Sequence, residues 1–278
     1  MNKGSCLCGE VQYELLGEPE NMAHCHCSIC RKIHGTPFAT YLQTSGVKWL
    51  SGECSIATYE SSPGFERCFC GKCGSVLPES IDNIVFVPAG ALDGEVTARP
   101  TKHIFASSRA HWHDITDNLP RYDSYGADAP PGIEQQDRSG RCGDKVGGSC
   151  QCGAVAYQYQ NNAKLMMYCH CSRCRKVKGA AHAANVFVLP EDFQWLQGED
   201  NIVVYDHPGA ERFGNSFCRT CGSSVPRKAV SSPMVNIPAG SIDDAPGIDS
   251  KGHIYTNSKS NWFDITDGRD QFEEMPPA

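Results

Sequence analysis

No apolar run in the 278 residues approaches the roughly 18–20 consecutive residues of a membrane-spanning helix, which excludes a helical membrane protein. The opening Met1-Asn2-Lys3-Gly4-Ser5-Cys6-Leu7-Cys8 lacks the apolar core of a secretory signal, and a cytoplasmic location is the expectation. Basic residues are in deficit, 25 Lys and Arg against 32 Asp and Glu, so no nucleic-acid partner is expected. Helix signals are scarce: a turn at Ser28–Lys32 and its counterpart at Ser172–Lys176. Cysteine, by contrast, is abundant, with 17 residues. In a reducing compartment such cysteines point to metal binding or catalysis more than to disulfides.

The chain repeats itself. Gly4-Ser5-Cys6-Leu7-Cys8-Gly9 returns as Gly148-Ser149-Cys150-Gln151-Cys152-Gly153, and Cys25-His26-Cys27-Ser28-Ile29-Cys30-Arg31-Lys32 returns as Cys169-His170-Cys171-Ser172-Arg173-Cys174-Arg175-Lys176. Phe69-Cys70, Cys73-Gly74-Ser75, Pro88-Ala89-Gly90, His103-Ile104 and Asp114-Ile115-Thr116-Asp117 likewise return, at Phe217-Cys218, Cys221-Gly222-Ser223, Pro238-Ala239-Gly240, His253-Ile254 and Asp264-Ile265-Thr266-Asp267. The offset grows in small steps, as short loop insertions produce. This pattern predicts a tandem duplication: one domain over 1–125, a Gly/Pro-rich linker over 126–145 and a second domain over 146–278. Cys142 falls in the linker without a counterpart and reads as a free thiol.

Within each copy the β-prone runs are short and bounded by Gly or Pro: Glu10–Leu16, Phe38–Leu42, Ile84–Val87 and Val96–Ala98, then Ala154–Tyr159, Ala183–Leu189, Ile202–Tyr205 and Val235–Ile237. They predict mainly β domains with small cores that metal cross-links supplement.

Fourteen cysteines form two matched sets of seven. Cys6, Cys8, Cys70 and Cys73, matched by Cys150, Cys152, Cys218 and Cys221, make a four-cysteine set of the kind used for structural zinc. Buried or redox cysteines, or an iron–sulfur cluster, are the competing readings. Cys25, Cys27 and Cys30, matched by Cys169, Cys171 and Cys174, are too compact to pair among themselves as disulfides. Three soft ligands leave one zinc position open, and an open position is where chemistry takes place. A histidine shared by both copies, His26/His170 or His103/His253, is the alternative that would close the site. Arg31, Lys32, Arg175 and Lys176 are candidates for contacts to an anionic substrate, or else solvated charges. The aromatic C-terminal elements around Trp112 and Trp262 read as core.

The ordered cysteine motifs, with His-Ile and Trp-x-x-Ile-x-Asp after them, resemble the glutathione-dependent formaldehyde-activating enzyme family, which includes centromere protein V-like proteins. The resemblance covers nearly everything outside the linker. It implies an Mss4-like (β-tent) fold and two zinc ions per domain, about four per chain: one structural and one at the open triplet. It also implies a carbon–sulfur lyase that joins the thiol of glutathione to formaldehyde. The partners expected are thus a small thiol and a small carbonyl. A non-catalytic zinc-stabilised binding module, or an enzyme of this fold with another substrate, is the rival reading.

Overall fold

The computed structural model describes residues 3–81, 84–125, 143–229 and 232–276; the linker expected over 126–145 and Cys142 lie largely or wholly outside them. The first half runs β1 (Lys3–Ser5), β2 (Gln12–Leu16), β3 (Glu20–Cys25), α1 (Ser28–His34), β4 (Ala39–Thr44), β5 (Gly46–Ser51), β6 (Ile56–Ser62), β7 (Phe65–Cys70), β8 (Glu79–Ile81), β9 (Ile84–Pro88) and β10 (Lys102–Ile104). The second half runs β11 (Lys145–Ser149), β12 (Ala156–Gln160), β13 (Leu165–Cys169), α2 (Ser172–Lys178), β14 (Ala183–Val188), β15 (Phe193–Gln197), β16 (Ile202–Asp206), β17 (Gly214–Cys218), β18 (Arg227–Lys228), β19 (Val235–Pro238), β20 (Gly252–Ile254) and β21 (Asp270–Gln271).

The expected mainly β character is what the structure shows. Each half has a three-stranded sheet, β1-β2-β5 or β11-β12-β15, a larger sheet and a separate hairpin, β6–β7 or β16–β17. The larger sheets are ordered β10-β3-β4-β9-β8 and β18-β19-β14-β13-β20-β21. Alternation along β2 turns Tyr13 and Leu15 into the core and leaves Gln12 and Leu16 outside. Val96–Ala98, expected as a strand, is not one. The Val96 N–H and C=O bond instead to the side-chain amide of Asn261, at 3.3 and 3.0 Å, so its backbone is satisfied without a neighbouring strand.

The two halves share their cores. Trp262 packs with Tyr13, Met22 and Leu77 of the first half, and Trp112 packs with Tyr159, Met166 and Val186 of the second. Each C-terminal tryptophan is therefore core, but in the opposite half. Hydrogen bonds across the junction are reciprocal as well. Lys32 Nζ donates to Ser149 O and Oγ at 2.7 and 2.8 Å and pairs with Asp243 at 2.7 Å. Lys176 Nζ donates to Ser5 Oγ and pairs with Asp93. The repeated Pro-Ala-Gly motif has the same origin: a Cβ on Gly90 would lie 2.3 Å from the backbone of Ala180, and one on Gly240 would lie 2.2 Å from Arg31 O. Only glycine lets the helix of the other half approach so closely.

Candidate metal centres and their cavities

All fourteen matched cysteines are free thiols, gathered into four groups that could hold metal ions, with sulfurs within 4.8 Å of one another inside each group. The four-cysteine groups join the turn after β1 to the knuckle after β7, and the turn after β11 to the knuckle after β17. Sulfurs on a tetrahedral zinc with bonds of ~2.3 Å lie about 3.8 Å apart. Cys6–Cys8 and Cys8–Cys70 are at 3.4 and 3.8 Å, and Cys150–Cys152 and Cys152–Cys218 at 3.5 and 3.7 Å. Backbone N–H groups of Val11 and Val155 donate to Cys6 and Cys150, each at 3.2 Å. Gly74 and Gly222 turn the knuckles at φ 71°, as their place after Cys-x-x-Cys suggests. Each four-cysteine group is also covered by the other half: Tyr205 packs on the core holding Cys6, Cys70 and Cys73, and Tyr59 on that holding Cys150, Cys218 and Cys221.

Each triplet is placed by a strand running into a helix. Cys25 ends β3, Cys27 is the N-cap of α1, and Cys30 sits in its first turn; the Cys27 sulfur accepts from Cys30 N at 3.3 Å. Cys169, Cys171 and Cys174 stand in the same relation to β13 and α2, with Cys171 accepting from Cys174 N at 3.4 Å. Both helices run two residues past the expected turns, to His34 and Lys178, and end on left-handed glycines.

The chemistry of the donor sets fits a bound cation. Hydrogen bonds from Cys25 and Cys30 pull the Cys27 thiol well below its ordinary range, while the same network and burial push Cys25 well above it. Cys171 is lowered to about 3 by Cys169 and Cys174, whereas Cys174 is raised. In the first four-cysteine group Cys73 is lowered to about 2 by Cys6 and Cys70, while hydrogen bonding to Cys6 and Cys73, and then burial, raise Cys70. In each of these three groups one thiolate is held by thiol neighbours, and full ionisation requires a positive charge in their midst. No histidine among the described residues joins either triplet within that 4.8 Å, so neither His26/His170 nor His103/His253 closes it. Instead His26 Nε2 shares a hydrogen bond with His103 Nδ1 at 2.8 Å, and His103 Nε2 lies 2.9 Å from Asp117. His170, His253 and Asp267 repeat the chain at 2.8 and 3.1 Å.

The first triplet opens on a cavity of about 260 Å³ whose walls include Ile29, Phe65, Phe86, Ile104, Phe105 and Tyr125. Beneath it, Arg67 reaches Cys30 Sγ at 3.8 Å, pairs with Glu79, and donates to Tyr41 Oη at 3.2 Å. The second triplet adjoins a smaller cavity, about 120 Å³, lined by Cys174, Lys178, Asn185, Arg212, Asn215 and Arg227 among others. Arg31, Lys32, Arg175 and Lys176, expected as contacts to an anionic substrate, line neither cavity. Lys32 and Lys176 are engaged across the junction, and Arg175 donates to His170 O and Ser260 Oγ at 3.2 and 2.9 Å. Arg67, 3.8 Å from Cys30 Sγ, and Lys178, which lines the second cavity together with Cys174, carry no motif. They reach the site through strand pairing and the last turn of a helix, and no local spacing announces them.

The profile of the family described as glutathione-dependent formaldehyde-activating enzyme matches residues 1–108 and 145–258. An uncharacterized lyase of Schizosaccharomyces pombe is 32% identical over 75 residues, 27% of this chain and 54% of that protein, so the chain spans about half of that relative's length. A Halomonas elongata protein provisionally named glutathione-dependent formaldehyde-activating enzyme is 30% identical over 130 residues, 41% of this chain and 80% of its own. A crystal structure of a Rhodobacter sphaeroides protein is 27% identical, covers 34% of this chain and 91% of its own, and superposes with a TM-score of 0.29. The mostly β build and the cysteine groups agree with the Mss4-like fold of the matched family. With the profile covering both halves, cysteine groups included, the chain belongs to the glutathione-dependent formaldehyde-activating enzyme family.

Proposed function

We propose that the chain is a zinc-dependent enzyme of carbon–sulfur lyase type, joining a thiol of the glutathione kind to a small carbonyl such as formaldehyde in the cytoplasm. The observation that carries this reading is the contrast between closed and open groups. Four sulfurs complete each four-cysteine set under a covering tyrosine of the other half, whereas the three sulfurs of Cys25, Cys27 and Cys30 face a cavity with room for an outside ligand. On this reading the chain holds about four zinc ions, in two domains over 1–125 and 146–278 joined by a linker over 126–145. Structural zinc is held by Cys6, Cys8, Cys70 and Cys73, and by Cys150, Cys152, Cys218 and Cys221.

Zinc held by Cys25, Cys27 and Cys30, or by Cys169, Cys171 and Cys174, would supply Lewis acidity and lower the pKa of a thiol brought beside it. Arg67 places a guanidinium 3.8 Å from Cys30 Sγ, offsetting part of the negative charge gathered there. The cavity, with Ile29, Phe65, Phe86 and Phe105 in its walls, holds the carbonyl while the thiolate adds: a carbon–sulfur bond forms, the carbonyl π bond opens, and its oxygen takes back from solvent the proton that the thiol gave up. Lys32 and Lys176 hold the two halves together rather than the substrate.

Two substitutions separate the roles. Cys70→Ser should destabilise the chain, because metal binding and folding are coupled in small zinc domains. Cys30→Ser should leave the unfolding midpoint nearly unchanged and abolish the formaldehyde-consuming activity of the first half. Equal loss of folding from both substitutions would make the triplet structural and overturn the assignment.

A further inference from the structure

The registers of the two halves align residues that motifs do not. Tyr41 and Asn185 hold the same place in β4 and β14, paired to Ala23 and Met167. Arg67 and Asn215 correspond in the hairpins, paired to Tyr59 and Tyr205, and Glu79 corresponds to Arg227, paired to Phe86 and Asn236. His34 and Lys178 both end their helices. In the first half this quartet carries no net charge: a histidine that donates from Nδ1 to Lys178 O and accepts from Tyr41 Oη, and a paired Arg67 and Glu79. In the second half it carries two cations and two neutral residues.

Lys178 is the decisive change. Its side chain is buried, 6% exposed, and its ammonium donates to Asn215 Oδ1 and Ser224 Oγ at 3.1 and 2.6 Å. Both partners are neutral, and no described carboxylate pairs with it. An ammonium has three donors, so one is left for a ligand. The Asn215 amide is held in place by its own bond to Cys73 O of the first half at 3.0 Å. Arg227 pairs through Nη2 with the exposed Asp206, but its Nε is buried in the cavity wall, as is Asn236 Oδ1, each without a hydrogen-bond partner among the described residues. Arg212 stands exposed at the cavity edge. No aspartate or glutamate lines the cavity, and Cys174 of the triplet does. Buried polar atoms ordinarily find partners. A ligand that satisfied these atoms would bring an acceptor, favoured as an anion by Lys178, Arg212 and Arg227, to Lys178 Nζ and Arg227 Nε, and a hydrogen-bond donor to Asn236 Oδ1.

We infer that the cavity beside Cys174 is a carboxylate subsite, so that the second half takes a small 2-oxo acid as its carbonyl component where the first half takes an uncharged one. About 120 Å³ holds roughly four water volumes of ~30 Å³, which suits a two- or three-carbon acid. Addition of a thiol to its carbonyl forms the carbon–sulfur bond and leaves the proton on oxygen, giving the hydroxyl that Asn236 lacks. The carboxylate subsite stands on the cavity alone; the choice of a 2-oxo acid rests on the proposed thiol–carbonyl function.

Acetate titration of the zinc-loaded full chain, followed by ligand-observed NMR, tests the subsite without chemistry. The wild type should bind acetate saturably, and Lys178→Met should weaken it by about tenfold or more, the value of a charge-assisted hydrogen bond. Arg212→Gln, at an exposed position that leaves folding intact, should weaken it less but measurably. Equal affinity in all three proteins, or none in the wild type, overturns the subsite. A second arm supplies glutathione with glyoxylate or formaldehyde to a Cys30→Ser chain and reads adduct formed faster than in the uncatalysed reaction. An enzyme-dependent rate with glyoxylate that is lost in Lys178→Met supports the inference, and an unchanged rate overturns it. Acetate binding that depends on Lys178, without adduct from either carbonyl even in the wild type, refutes the enzyme function while leaving the subsite. Formaldehyde adduct without acetate binding does the reverse.

Discussion

Replacing Glu79 should reveal how strongly the first triplet depends on the buried pair beneath it. Arg67 and Glu79 are 6% and 2% exposed, and the guanidinium also meets Tyr41 Oη, Ser61 Oγ and the ring of Phe65, 4.5 Å away. Breaking a buried pair from one side leaves an uncompensated charge and costs about 3–5 kcal/mol. Glu79→Gln keeps the shape and one acceptor, which places it near the lower figure, ~3 kcal/mol. At ~2–4 °C for each kcal/mol in a chain somewhat smaller than this one, the unfolding midpoint should fall by roughly 6–12 °C. Replacing both partners by apolar side chains, Arg67→Met with Glu79→Leu, should recover most of that loss, because the desolvation of two charges is removed together. Urea unfolding of the zinc-saturated wild type, Arg67→Met, Glu79→Leu and their double gives the coupling directly, with Glu79→Gln measured beside them. A Glu79→Gln chain within ~0.5 kcal/mol of wild type, or a double variant as damaged as the sum of the singles, would refute the reasoning. The Arg67→Met chain should in addition hold metal less tightly at the first triplet, since a positive charge 3.8 Å from Cys30 Sγ is lost.

Burial lowers His24, His34 and His113 to about 3, so the folded chain keeps them neutral while the unfolded chain protonates them near pH 6.5. Their contribution is complete above pH 6.5 and is lost as pH falls from there toward 3, by up to ~1.4 kcal/mol per pH unit for each. His113→Phe, which installs the residue found at Phe263, should flatten urea-measured stability between pH 6.5 and 5; an unchanged slope would contradict this. Across the junction, Lys32→Met should cost about 1–3 kcal/mol, as expected for buried acceptors left without their donor. Lys176→Met should cost less, because Asp93 is 46% exposed where Asp243 is 28% exposed; the opposite order in thermal unfolding would count against the burial argument.

The cysteine sets were legible because metal ligation imposes short, repeated spacings, and the structure gathers the same fourteen residues into four groups. Strand signals at Phe38–Leu42 and Ile84–Val87 were equally local and survive as β4 and β9. What escaped was everything decided between elements. Val96–Ala98 has strand composition, yet Asn261 satisfies its backbone. Lys32 looks like a solvated charge after a cysteine motif, yet it is 4% exposed because the other half covers it. Trp112 and Trp262 read as core, but nothing in the sequence says that each belongs to the opposite half. Arg67 meets Cys30 Sγ through strand register, and Lys178 enters the cavity wall with Cys174 through helix length; neither is encoded in a motif.

Whether the triplets accept an outside thiol can be read from cobalt substitution. Cobalt replaced into all four groups reports the sulfur count at each through its absorption spectrum. Glutathione should change that spectrum at two sites per chain and release a proton for each, because thiols coordinate deprotonated, while S-methylglutathione should do neither. A spectrum unmoved by glutathione would mean that the triplets are closed, or built for another ligand, and the thiol–carbonyl assignment would fall with it.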